Sequence, residues 1–159
     1  CRLINPFAAS LSLQSVFHPA YIDTHHRAAM LLGEKNTVVF KGESGEVEYR
    51  PQARVDVKSI VDGEEQNYSI AKRTGPPNVI LNDFDSLLQC WYSAKPLELA
   101  NISKQSANSP EQDGALAAVG TAAIALYHLK YADSFDAALT LASKYWQNRN
   151  RRQLYNHLL

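Results

Sequence analysis

Apolar and polar positions change period along this chain, and each change marks an expected element. Tyr21, Ile22, His25, Ala28, Ala29 and Leu32 recur at the three-and-four spacing of a helix buried along one side. Pro19 suits its first turn, where a missing N–H is not needed, and Gly33 fits its end. Thr37 to Phe40 is a short apolar run of the kind buried in a parallel sheet. Glu46 to Arg50 reads as extended, ended by Pro51. Val55, Val57, Ser59 and Val61 alternate with Arg54, Asp56, Lys58 and Ile60, which predicts a half-buried strand. Asp62-Gly63 then signals a hairpin that brings Asn67 to Ile70 back against that strand.

Other stretches are punctuation. Asn5-Pro6 and the Ser/Ala-rich run to Ser15 read as a loop, Arg73 to Pro77 breaks regular structure, and Lys95 to Ser109 is a polar connection. Asp83 to Ala94 predicts a short amphipathic helix. Ser109-Pro110-Glu111-Gln112 supplies an N-cap, a first-turn proline and early acidic character. Ala115 to Leu129 follows, rich in small residues and nearly free of charge, so it predicts a helix buried on most sides. Asp133-Ser134 caps a last helix whose face is Phe135, Ala138, Leu139, Ala142, Tyr145 and Trp146. The expected class is α/β, a short sheet with helices on its faces.

Length and charge narrow the function. At 159 residues one domain with a real core is expected. Sixteen basic residues balance sixteen acidic ones, so no global field draws nucleic acid or a membrane, and such affinity must come from a local patch. No apolar run approaches the roughly 20 residues of a membrane span, and the N-terminus lacks a secretory layout. Cys1 and Cys90 have neither zinc-type spacing nor a disulfide framework. A cytoplasmic protein with reduced thiols is expected. The first residue is Cys1 and the one methionine, Met30, falls inside an expected helix, which reads as a piece that begins mid-domain.

The segment Val38-Val39-Phe40-Lys41-Gly42-Glu43-Ser44-Gly45-Glu46-Val47-Glu48 carries the most chemistry. Gly42 and Gly45 let the backbone turn tightly, and the carboxylates are hard oxygen donors of the type a divalent cation takes; the plain alternative is a solvated strand connection. His18, His25 and His26 are a weaker cluster, because neighbours in a helix point about 100° apart and do not converge on a metal. Cys90 beside Trp91 reads as a buried, inert thiol. Near the C-terminus Tyr145, Arg149 and Arg152 fall at i, i+4 and i+7, with Lys144, Trp146, Arg151, Tyr155 and His157 close by. Arginines there suit phosphate contacts and the rings suit stacking; the alternative is a solvated helix docked by its aromatics. Lys41, Arg50, Arg54, Lys58, Lys72 and Arg73 either line a groove with that helix or pair with acids such as Glu48, Asp56 and Glu64.

Three segments, in order, resemble the C-terminal half of the anthranilate phosphoribosyltransferase-type proteins of glycosyltransferase family three. They are Asn5-Pro6 with Val16-Phe17-His18-Pro19-Ala20 and Leu31-Leu32-Gly33, then Val38 through Glu48, and finally Ala115 to Tyr131 with Ala132-Asp133-Ser134-Phe135-Asp136-Ala137-Ala138. The resemblance implies the C-terminal part of the large α/β domain of a nucleoside phosphorylase/phosphoribosyltransferase-like fold. It also implies a glycine-rich phosphate loop and an N-terminal helical domain upstream of Cys1, the latter building a homodimer in the full-length protein. It covers most of the chain, with the stretch near Ser93 to Asn108 poorly matched.

The departures decide between two expectations. Lys41 stands where the enzymes carry histidine and Val47 where they carry aspartate, so Glu48 is the one carboxylate kept at the family's magnesium position, with Glu43 and Glu46 as substitutes. The run from Lys41 to Glu48 is most similar to the YbiB-like, DNA-binding branch. That branch implies a non-catalytic, nucleic-acid-binding protein that requires no cofactor, with Lys41, Gly42 and Gly45 in the former phosphoribosyl loop; the basic C-terminal pattern supplies Lys144, Arg149, Arg151 and Arg152 as the residues expected on nucleic acid. The alternative is an active transferase using phosphoribosyl pyrophosphate and magnesium.

Overall fold

The computed structural model describes residues 3–42, 46–75, 84–95, 97, 99 and 110–152. Strand β1 (Ser12–Val16) leads through helix α1 (Tyr21–Leu31) into β2 (Thr37–Lys41), and a hairpin of β3 (Val55–Val61) and β4 (Glu64–Ile70) completes a sheet of order β1-β2-β3-β4. Helices α2 (Phe84–Tyr92), α3 (Pro110–His128) and α4 (Phe135–Gln147) follow. β1 and β2 run parallel, with Ser12 opposite Thr37 and Val16 opposite Lys41, whereas β2–β3 and β3–β4 are antiparallel. The chain is mixed α/β, and its sheet is mixed too.

Register explains the layers. On one face Val38 and Phe40 of β2, Val55 and Val57 of β3 and Ile70 of β4 bury against Ile124 of α3 and Tyr49. Val39, pointing the other way, meets Val16 and Ile22 of α1. β2 is therefore covered on both sides, which is why it is apolar without alternation. A third cluster joins Cys90, Leu116, Val119, Ala123, Ala138, Leu139 and Ala142, where α2 and α4 pack on α3. Small side chains let these backbones come close. At Gly120 a Cβ would lie 2.7 Å from Cγ of Tyr49, so only glycine lets that ring seat on the helix. Among the described residues no helix is long and apolar enough to cross a membrane.

Several expectations need correction. The run to Ser15 is not all loop, because Ser12–Val16 is β1. Its polar Gln14 and Ser15 are buried by the sheet and hide the strand pattern, which tertiary pairing imposes. Glu46 to Arg50 is not a strand. Residues 46 and 47 bend, and Tyr49 N–H donates to Thr121 Oγ1 of α3 at 2.9 Å, which ties this segment to a helix instead of a sheet neighbour. Buried Ile60 departs from the expected alternation of β3. The hairpin turn falls on Asp62 and Gly63 as expected, both with positive φ, and β4 starts directly after it at Glu64, not Asn67. Ser134 caps α4, its hydroxyl accepting from Ala137 N–H at 3.2 Å. The expected cap at Ser109 and nearly all of the connection from Lys95 lie outside the described residues.

Candidate functional site at the carboxyl ends of β1 and β2

In open α/β sheets ligands collect beyond the carboxyl ends of parallel strands. Here that place is where β1 ends at Val16 and β2 at Lys41. Gly42 N–H donates to Val16 C=O at 3.2 Å, so the two strand ends stay joined past the ladder. A Cβ on Gly42 would overlap the Glu46 carbonyl oxygen and come within 2.9 Å of Ser15 Cβ. Glycine is thus required for the chain to fold back over itself. Lys41 is half-buried, with Nζ 5.9 Å from the centre of the Phe17 ring and 3.5 Å from Gly42 C=O. Glu46, Val47 and Glu48 are exposed on the returning arm; Glu43 and Gly45 lie outside the described residues.

The other strand end contributes rings. Phe17 and Tyr21 are each 55% exposed, and His18 sits between them, 4.7 Å from Phe17 edge-on and 6.2 Å from Tyr21. The turn that carries them is held by Tyr21 N–H and Ile22 N–H donating to the carbonyls of His18 and Pro19, both at 3.0 Å. The first helical N–H groups are therefore occupied. Sequence reasoning passed over Phe17 and Tyr21 as members of a motif and a helix face; their exposure beside Lys41 follows from the parallel pairing of β1, which the sequence hid.

For the magnesium that the resemblance implies, the described part of this turn offers Glu46 and Glu48, and Glu43 lies outside the described residues. Glu46 and Glu48 flank Val47, a hydrocarbon where a second adjacent carboxylate would be needed, while magnesium demands near-octahedral oxygen geometry. Among the described residues no three His, Cys, Asp or Glu side chains gather to hold a metal ion. His26 is buried on α1 with Nε2 3.3 Å from Ser59 C=O, a packing role, and His25 is half-buried. Cys90 is buried.

The C-terminal basic stripe does not form as a helical face. α4 ends at Gln147, so Arg149, Arg151 and Arg152 lie beyond it. Arg149 turns inward. Its guanidinium donates to the carbonyls of Trp146 at 2.5 Å, Ser93 at 3.1 Å, Cys90 at 3.4 Å and Trp91 (Nε at 3.1 Å), and stacks 3.8 Å from the centre of the Trp146 ring. Burial pushes its pKa down from the usual arginine value, with Arg151 adding to the effect. Arg151 is half-buried, and its carbonyl accepts from Trp91 Nε1 at 3.1 Å. Lys144, Tyr145 and Arg152 are exposed, and Tyr155 and His157 lie outside the described residues.

The remaining cations divide the same way. Arg54 pairs with Asp56 at 2.8 Å, Lys58 with Asp23, and Arg73 with Asp136, while Lys72 is exposed and Arg50 half-buried. Arg73 also stands over the Phe135 ring, next to buried Tyr49, whose pKa rises to about 12 because its phenol is desolvated. No protein-family model matches the chain, and no curated protein matches it in sequence.

Proposed function

We propose that the chain is the C-terminal part of a phosphoribosyltransferase-like α/β domain of glycosyltransferase family three, and that it binds nucleic acid without catalysing transfer. One observation carries the reading. The turn at the carboxyl ends of β1 and β2 keeps the tight glycine fold of Gly42 but presents Lys41, with Val47 in place of a second carboxylate. A cation over a closed turn suits a phosphate ester directly, where the enzymes would bridge it through a metal. The ordered segments from Asn5 to Gly42 and from Ala115 to Ala138 support the family reading, and the exposed Lys72, Lys144 and Arg152 support contacts to a phosphate backbone. With formal charge balanced, such binding is local and falls with added salt.

Fluorescence anisotropy of a labelled oligonucleotide tests it. Binding of the full chain at low ionic strength, weakening log-linearly as salt rises, is the expected result; no binding at low salt overturns it. The exposed Glu48 favours a second reading, an active transferase. Turnover of anthranilate with phosphoribosyl pyrophosphate and magnesium, above a protein-free control, would establish that reading instead. Val47→Asp, which restores an oxygen donor beside Glu48, is expected to confer magnesium-dependent binding of phosphoribosyl pyrophosphate if this turn faces the diphosphate.

A further inference from the structure

We infer that Phe17 and Tyr21, bridged by His18 and flanked by Lys41, form a stacking platform for unpaired bases. The inference rests on the nucleic-acid reading above and assigns the surface that performs it. Phe7, Tyr131 and Tyr145 are exposed as well, but Phe17 and Tyr21 stand half open on either side of one histidine ring with a cation beside them. The His18 ring packs against both, and the backbone beneath them is pinned by the carbonyls of His18 and Pro19. A base is a flat, polarisable ring with two faces, and an aromatic step held open at a strand end matches it.

Charge selects the occupant. Lys41 Nζ stands 5.9 Å from the Phe17 ring centre, close enough to meet the phosphate that links two stacked nucleotides. Glu46 and Glu48 are exposed on the same turn, so the phosphate attraction at this place is modest and stacking must supply most of the affinity. Duplex bases are already stacked on one another and cannot reach the rings, whereas splayed single-stranded bases can. An apolar protein segment or a second copy of the chain would use the rings but leave Lys41 without a role.

The test measures binding of a labelled oligothymidylate and of a blunt duplex to the full chain and to a Phe17→Ala/Tyr21→Ala variant across salt. Both side chains are exposed, so the fold is expected to survive, and a Phe17→Tyr/Tyr21→Phe variant controls for it. The alanine pair should lose single-strand affinity by at least about tenfold with an unchanged salt slope, and the aromatic swap should retain it. Duplex binding should change little. Ultraviolet crosslinking of the oligothymidylate should map to the peptide containing residues 17–21. Wild-type binding that the alanine pair leaves intact overturns the platform and spares the nucleic-acid reading. Absence of any binding by the wild type overturns both. Sedimentation that shows a dimer lost in the alanine pair, with oligonucleotide affinity unaffected, assigns the rings to self-association and also overturns the platform.

Discussion

Arg149 and Lys41 are each a cation set against aromatic rings, yet one is closed and the other open. Arg149 lies over Trp146 at 3.8 Å and near Trp91 at 5.3 Å, with its donors spent on carbonyls at the ends of α2 and α4. Lys41 reaches an exposed ring from 5.9 Å, and among the described residues its ammonium makes a long hydrogen bond to the neighbouring carbonyl. Residue type alone would rank Arg149 as the better phosphate ligand, since its planar fork suits bidentate contacts. Geometry reverses the ranking. The same fork fits the orphan carbonyls that helices leave at their C-terminal ends, so the arginine serves as a tie between two helices.

The largest expected effect would break the closed member of this pair. Arg149→Ala strands the carbonyls of Trp146, Trp91 and Ser93 and removes the cation that lies over two indoles. Charge-assisted hydrogen bonds of this kind contribute about 1.5–3 kcal/mol each and do not add fully, so a loss of about 3–4 kcal/mol is expected. Urea unfolding monitored by tryptophan fluorescence reads it directly. Arg149→Lys should recover only a minor part, because an ammonium cannot span several carbonyls and stack at once. A variant as stable as wild type would show that the clamp is not what joins α2 to α4.

A smaller effect separates buried polar chemistry from either cation. His128 of α3 is buried, with Nε2 2.9 Å from the hydroxyl of Tyr68, and burial pushes its pKa down to about 4. Below 6.5 the unfolded chain takes up a proton that the folded chain refuses, so stability is full above that value and falls as pH drops towards about 4. The difference corresponds to about 3 kcal/mol. Asp23 and Asp56 have pKa values lowered by hydrogen bonds, to Lys58 and to Ser69 respectively, and lose their contribution only at lower pH. Among the described residues His128 carries the lowered pKa that spans the window between about 4 and 6.5. His128→Gln should flatten the urea midpoint across it; an unchanged slope would move the acid sensitivity elsewhere.

How much of this was readable beforehand depends on where each signal resides. Local signals held: the Asp62-Gly63 hairpin, the Ser134 cap and the small-residue α3 were all legible, because each is decided within a few residues of itself. Nonlocal ones did not. β1 is strand because β2 lies beside it, and the Tyr49 segment leaves the sheet because its N–H donates to Thr121, distant in sequence. The stripe at Tyr145, Arg149 and Arg152 assumed a helix that in fact stops at Gln147, and helix ends are the least determined part of any pattern. Gly42 was legible as a place of close backbone approach, whereas the open rings beside it required knowing that β1 ends at Val16.

The smallest effect on stability sharpens the open member. Lys41→Ala removes a side chain that is half-buried, bonds weakly to Gly42 C=O and approaches Phe17 from one side. A cation–ring contact at a partly exposed place contributes about 0.5–1 kcal/mol, so the unfolding midpoint should scarcely move beside that of Arg149→Ala. Oligonucleotide binding should respond in the opposite proportion. Loss of one phosphate contact flattens the plot of log affinity against log salt by about 0.7 for a single strand, which an anisotropy titration resolves. Arg149→Ala, compared at a temperature where it remains folded, should leave that slope unchanged because its guanidinium faces carbonyls. If instead Lys41→Ala leaves the slope intact and Arg149→Ala flattens it, the clamp must open to bind, and the contrast between a closed cation and an open one fails.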